Sequence, residues 1–219
     1  MLWDWSYALE VLPELAKAAI VTIEATLLGF AIAASLGLIL AVLRMLGPVF
    51  AWPVTILVEL IRSTPLLIQI FFLYFVMPKF GLTLEAFTAG VLAIGVHYAT
   101  YCSEVYRAGL ENIPRGQWEA STALNLSLLT TFKDIILPQA IPPVVPALGN
   151  YLVALFKETP LLSAIAVLEL MQTAKILGSE SFRYVEPITL VGLLFLLMSL
   201  VSAGAIRIVE RALTWRTAR

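Results

Sequence analysis

The chain has 219 residues, 60% of them hydrophobic and 13% charged, with a formal net charge of −1 and a mean hydropathy of +0.93. That composition excludes an ordinary soluble domain, in which about a quarter of residues are charged, and places the chain in a lipid bilayer. The basic residues are scattered rather than gathered into a patch, which excludes a nucleic-acid binder.

The opening "MLWDWSYALEVLPELAKAAI" has neither a basic n-region nor a small-residue cleavage site, so it is expected to be retained. It is acidic through Asp4, Glu10 and Glu14. Trp3, Trp5 and Tyr7 have the character of an interfacial belt, and a short surface helix is expected before the first span. Crossing the hydrocarbon core takes about 20 apolar residues. Five segments qualify, at 16–43, 52–78, 84–108, 140–168 and 187–209. The predicted fold class is therefore an all-α integral membrane protein of about five transmembrane helices, a single domain over 1–219. The fourth segment is broken by prolines and reads either as one tilted, discontinuous helix or as a span plus a re-entrant piece.

Lys and Arg collect in cytoplasmic loops. With the N-terminus outside, Arg44, Arg107, Arg115, Lys133, Arg207, Arg211, Arg216 and Arg219 fall inside, against Lys17, Lys79, Lys175 and Arg183 outside. The C-terminus and the loop at about 112–138 are thus expected in the cytoplasm.

That loop, within "IPRGQWEASTALNLSLLTTFKDIILPQA", is unusually polar for this chain. Pro114 and Gly116 are expected to break the preceding helix. "QWEASTALNLS" then reads as a short helix with Trp118, Ala123 and Leu124 on one face, closed by Asn125, because Asn tolerates the left-handed conformation of helix ends. A second helical stretch, "LLTTFKDIIL", precedes Pro138. Composition alone reads this as a helix lying on the headgroups.

Two polar sites lie deep in apolar sequence, "IRSTPLLIQ" at 61–69 and "FKETPLLSA" at 156–164. Each places a cation two residues before Thr-Pro, and Thr followed by Pro is a helix-start signal. Each is predicted to begin a half-helix whose free N–H groups and positive dipole end attract an anion. A substrate carboxylate would sit there, beside Thr64 or Thr159, with Arg62 or Lys157 nearby. Glu59, Glu104 or Glu158 would meet a cationic group, and Tyr98, Tyr101 and Tyr151 would face an amine or amidinium through cation–π attraction. Gln69 and Asn150 complete the candidate pathway, with helix packing at a subunit interface the other reading of Asn150. Charges inside a membrane cost about 2.5–3.5 kcal/mol each, which favours a functional role. Glu59 with Arg62 and Glu104 with Arg107 are equally placed to neutralise each other at i,i+3.

Cys102 is alone and reads as packing material. His97, the only histidine, reads as a proton relay or as a packed, hydrogen-bonded ring. The chain has no Gly-Lys pair and hence no phosphate-cradling loop of the G-x-x-x-x-G-K type. No Ser/His, paired-Asp or metal-ligand arrangement points to an enzyme, and no metal or cofactor is expected on this chain.

Glu119, Ala120, Asn125, Ile136, Leu137 and Pro138 together resemble the EAA motif of permease subunits in ATP-binding-cassette importers. "GQWEASTALNLS" and "ILPQAIPPVVPALGNYLVALFKET" are similar to the polar-amino-acid uptake branch, and the likeness runs from about Ile61 to Met171. The resemblance implies two short coupling helices seated in a groove on a cytoplasmic ATP-binding subunit dimer, which would hold ATP and Mg. Gln117 and Glu119 would supply polar contacts and Trp118, Ala120 and Leu124 the packing. It also implies a second permease subunit, an extracytoplasmic substrate-binding protein and a bacterial cytoplasmic (inner) membrane. The branch usually has Gly in place of Asn125, "RGTPLL" where Ser63 stands and "KDTSL" where Pro160 stands. "WDWSYALEVLP" and "ILGSESFRYVEP" resemble the ectoine/hydroxyectoine permease subunits more narrowly, which implies a zwitterionic substrate and a paralogous partner, with a homodimer as the other assembly. The alternative is a stand-alone ion-coupled secondary transporter of small zwitterions; the odd span count and the absence of inverted halves weigh against it.

Overall fold

The computed structural model describes residues 3–217, and side chains through Arg211, so the side chains of Arg216 and Arg219, counted above toward the inner face, lie outside the described residues. Among the described residues there are helices and turns but no strand. Helix α1 (Trp5–Met45) has 41 residues and is opened by Asp4, whose carboxylate accepts from the N–H groups of Ser6 and Tyr7. At 1.5 Å per residue it is about 60 Å long, twice the hydrocarbon core. The separate surface helix expected before the first span is instead the first turns of this rod. Pro13 does not break it, and Val11, Leu15 and Ala18 pack with Leu170, Ala174 and Val191, so tertiary burial carries the helix past the proline.

Gly47, at φ 113°, turns the chain into α2 (Pro48–Arg62). The segment predicted as a single span over 52–78 is broken: α2 and the run Leu66–Phe80 meet at 101°. The second arm comprises α3 (Leu66–Phe71), a π-helical turn and a 3-10 turn. Helix α4 (Ala86–Glu111) follows and contributes Ile94, Tyr98, Cys102 and Leu110 to the main core. Its most extensive packing is along α1. A Cβ on Gly37 would lie 2.7 Å from Cys102 Cβ and 2.9 Å from the Ala99 carbonyl oxygen, so the backbones touch where that side chain is missing.

A short helix, α5 (Arg115–Ala123), stands at the end of the bundle reached by the C-termini of α1 and α4. A single turn, α6 (Leu128–Thr130), passes through a π-helical turn into α7 (Leu137–Glu158). A 3-10 stretch (Thr159–Ile165), α8 (Leu170–Ser181) and α9 (Val185–Thr217) complete the chain.

By length and apolarity, α1, the run Leu128–Ile165 and Val185–Arg211 can each cross a membrane, and the bent pair makes a fourth candidate. Helix α4 is 26 residues long, but His97, Thr100, Ser103 and Glu104 dilute its apolarity. It lies inside the bundle, where α1 and α7 cover it. The fourth predicted segment is a single helical run, as in the first of its two alternatives, but without the expected discontinuity at Pro142, Pro143 and Pro146.

Candidate substrate cage and coupling elbow

The first Thr-Pro site behaves as foreseen in outline and differently in detail. Helix α2 ends at Arg62 and a new helix begins after Pro65. Thr64 is not its cap, because its hydroxyl turns back to donate to the carbonyls of Ile61 (3.0 Å) and Leu60 (3.3 Å). The break is bridged by Gln69. Its amide nitrogen reaches Ile61 O at 2.7 Å, Thr64 O at 3.1 Å and Thr64 Oγ1 at 2.7 Å, adding a donor at the end of α2, where Ile61 O also accepts from the Thr64 N–H. The amide oxygen of Gln69 lies 3.2 Å from His97 Nδ1 on α4.

The second Thr-Pro site does not start a half-helix. Thr159 is buried, donates to Phe156 O at 2.8 Å and leads into a 3-10 continuation of α7. The Thr64 hydroxyl also bonds its own preceding turn, so the two sites differ in the backbone: Pro65 is extended at ψ 137°, whereas Glu158 and Thr159 stay helical and the helix runs on.

Around the elbow the side chains form a cage. The Arg62 guanidinium lies 5.0 Å from the centre of the Tyr101 ring, within cation–π range. Tyr101 approaches Tyr98 at 5.8 Å and Tyr151 of α7 at 5.8 Å, and His97 sits 5.3 Å from Tyr101. Glu158, the last residue of α7, lies near enough for its charge to bear on the Tyr98 hydroxyl. The elbow also borders an apolar cleft of about 390 Å³, in which Thr64 and Gln69 supply the polar lining.

The other candidates are placed elsewhere. Glu59 is 60% exposed and 3.7 Å from Arg62. Glu104 is held between Arg44 of α1 and Arg107, which in turn bonds Glu111 at 2.7 Å, so structural pairing accounts for its charge. Lys157 and Asn150 are exposed and make no hydrogen bond or ion pair among the described residues. His97 was singled out in the sequence but not joined to the cage; its i,i+4 spacing to Tyr101 was the available signal. Nothing in the sequence pointed to Arg44 as the partner of Glu104, since the two are 60 positions apart.

At the other candidate region, α5 starts after Pro114, and Gly116 lies inside the helix rather than breaking it. Asn125 has φ 53°, as its type predicts. The N–H groups of Asn125 and Leu126 donate to Thr122 and Ser121, the pairing of a Schellman motif. The second expected coupling helix is not a separate element. Ser127 caps it through the Thr130 N–H, and it runs on into α7 as the head of the Leu128–Ile165 helix. Trp118 faces inward, edge-on to Phe132 at 5.3 Å, while Gln117 bonds Gln139 of α7 at 3.3 Å. Turned outward are Glu119, Ala120 and the apolar run of Leu124 (70% exposed), Leu128 and Leu129.

A bundle of apolar helices with a broken span, a polar cage at the break and an exposed short helix at one end defines a membrane permease subunit rather than an enzyme. Residues 33–215 match the family model described as binding-protein-dependent transport system inner membrane component, and the chain belongs to that family; it is accordingly an inner-membrane protein. It is 45% identical to a probable amino-acid ABC transporter permease protein, y4tG, of Sinorhizobium fredii, over 94% of this chain and 90% of that one. It is 35% identical to the L-cystine transport system permease protein TcyB of Bacillus subtilis, over 88% and 83%. Among solved structures it is similar to a crystal structure of an amino acid ABC transporter with histidines, at a TM-score of 0.85 and 31% identity, covering 97% of this chain and all of that one. The fold also matches the inward-facing MetNI methionine ABC transporter, at a TM-score of 0.74 and 21% identity.

Proposed function

We propose that this chain is the membrane subunit through which an ATP-driven importer moves small zwitterions, amino acids or ectoine and hydroxyectoine, across the bacterial inner membrane. The observation that carries the reading is the cage at the broken span. A cation, Arg62, is offered beside π faces, with the Glu158 carboxylate near the same rings, and a zwitterion complements such a pair of poles. The names of the relatives, which include amino-acid and L-cystine permeases, support the substrate class.

Energy enters from elsewhere. A cytoplasmic ATP-binding subunit dimer, carrying ATP and Mg, docks on α5, with Glu119 as the charged contact and Ala120 and Leu124 as packing. The short helix, closed by its Schellman turn and tied to α7 through Gln117, transmits displacement rather than absorbing it. An extracytoplasmic binding protein delivers substrate, and a second permease, a paralogue by preference, completes the pathway. The N-terminus is outside and the C-terminus inside. Asn150, exposed on α7 beside the cage residue Tyr151, faces the second permease.

Glu119→Lys is expected to abolish uptake and substrate-stimulated ATP hydrolysis in the assembled transporter while leaving the chain inserted in the membrane. Unchanged coupling would remove α5 from this role. Uptake tests with ectoine, glutamine, histidine and arginine decide the substrate. Gradient-driven uptake by the lone chain would replace the reading with a secondary transporter.

A further inference from the structure

We infer that His97 is a specificity-determining residue of the cage: its unprotonated Nε2 accepts a hydrogen bond from a substrate N–H, and Gln69 is the positioning residue that fixes it in that state. The inference rests on the zwitterion-cage reading above.

The argument begins at the Gln69 amide. Its nitrogen faces three oxygens, the carbonyls of Ile61 and Thr64 and the Thr64 hydroxyl, at 2.7–3.1 Å. An amide nitrogen only donates and a carbonyl only accepts, so this set fixes which end of the amide points where. The oxygen is thereby left facing His97 Nδ1 at 3.2 Å. An oxygen acceptor requires a proton on Nδ1, and in a neutral imidazole that leaves Nε2 with a free lone pair. Nε2 has no hydrogen-bond partner among the described residues. The ring stands 5.3 Å from Tyr101 and 5.6 Å from Tyr98, centre to centre, and Tyr101 is the ring that faces Arg62.

Gln69 joins the Thr64 N–H and hydroxyl in supplying donors to the carbonyls at the end of α2. The same side chain that closes the break therefore sets the tautomer. The cage then offers a zwitterion three kinds of contact: a guanidinium for the carboxylate, π faces for the delocalised cation and an imidazole nitrogen for its N–H. The last adds direction, which neither the charge nor the rings supply.

The test exploits the fact that this chain has one histidine. The assembled transporter is labelled with 15N-histidine and its spectrum is compared with that of the His97→Asn transporter, so that the difference isolates the His97 ring. At neutral pH a protonated Nδ1 and a pyridine-type Nε2 are expected, with the Nε2 signal moving when ectoine or arginine, whichever the transporter imports, is added at a concentration that saturates uptake. The opposite tautomer, an imidazolium, or an unmoved Nε2 overturns the inference. Two variants separate acceptor from latch. His97→Asn keeps a donor at the Nδ1 position and is expected to raise the half-saturating concentration about tenfold with little change in maximal rate. His97→Gln places an amide oxygen at the Nε2 position and is expected to restore much of that loss. Arg62→Ala and Tyr101→Ala serve as the control: if they impair uptake and His97→Asn does not, the inference fails and the cage stands, and if none of them does, the cage itself fails.

Discussion

Arg62 has a structural place at the end of α2 and, on the proposed reading, a functional one. As the last residue of α2 it faces the negative end of the helix dipole, which favours a cation there. Its partner Glu59 is exposed and 3.7 Å away, a pairing too loose and too wet to hold it firmly. Tyr101, 5.0 Å from the guanidinium, is the more confining neighbour. Cation–π contacts are worth about 0.5–2 kcal/mol, so Tyr101→Ala should weaken substrate handling by roughly 2- to 30-fold. Tyr101→Phe should retain most of it, because the ring face is kept. Concentration-dependent uptake in proteoliposomes measures both. Arg62→Lys should behave more like the Ala variant than its charge implies, since an ammonium lacks the planar face that stacks.

At the scale of elements, two features depend on backbone geometry that side chains merely permit. Asn125 holds φ 53° at the end of α5, where a β-branched residue is strained by about 1–2 kcal/mol. Asn125→Val should therefore loosen α5, seen as faster amide hydrogen exchange over Arg115–Ala123 and weaker stimulation of ATP hydrolysis. Asn125→Gly should be neutral or slightly stabilising. The α1–α4 contact is the second case. At Gly37 an added side chain meets the Ala99 carbonyl, which cannot swing aside as a flexible side chain can. Gly37→Val should lower thermal stability by an overpacking cost of about 1–3 kcal/mol, read as a drop in melting temperature in detergent. A variant that melts like the parent would show that the helices separate without cost.

At the scale of the molecule, the two ends of the bundle are built differently. One carries α5 and the Arg44–Glu104–Arg107–Glu111 ladder. The other is tied by Arg183, which bonds Asp4 at 3.0 Å and Glu186 at 2.5 Å and lies 5.0 Å from the Tyr7 ring, joining the start of α1 to the start of α9. The hydrogen bond from Arg183, with the N–H groups of Ser6 and Tyr7, holds the Asp4 carboxyl below its ordinary value of 3.8. A depressed carboxyl pKa contributes stability that is fully present above the ordinary value and disappears as pH falls through the lower folded one. Asp4→Asn should accordingly melt earlier than the parent at pH 7, and the gap should close in strong acid. A gap independent of pH would mean that the clamp acts through shape rather than charge.

The helical membrane class, the polar helical insert, the turn at Asn125 and the break at Ser63–Pro65 were legible in the sequence, because each depends on local chemistry: apolar run length, dihedral preference, or the missing N–H of proline. What depends on distant neighbours was not. Pro13 sits in an unbroken helix because residues near 170 and 191 bury against the turns on either side. The Thr-Pro pair at 159 carries the same letters as the pair at 64 and both hydroxyls bond the preceding turn, yet the chain becomes extended at Pro65 and stays helical through Thr159. Trp118, grouped in the sequence with Ala123 and Leu124 on one face, lies against Phe132, and Glu104, read either as a pathway residue or as a partner of Arg107, is also held by Arg44 from another helix. By itself the sequence determined that this chain is a helical membrane protein and where its backbone can bend, since hydropathy and dihedral limits act over a few residues. Only the tertiary structure decided which polar groups meet: the cage of Arg62, His97, Tyr98, Tyr101 and Tyr151 is assembled from three helices, and no spacing within one helix encodes where another one lies.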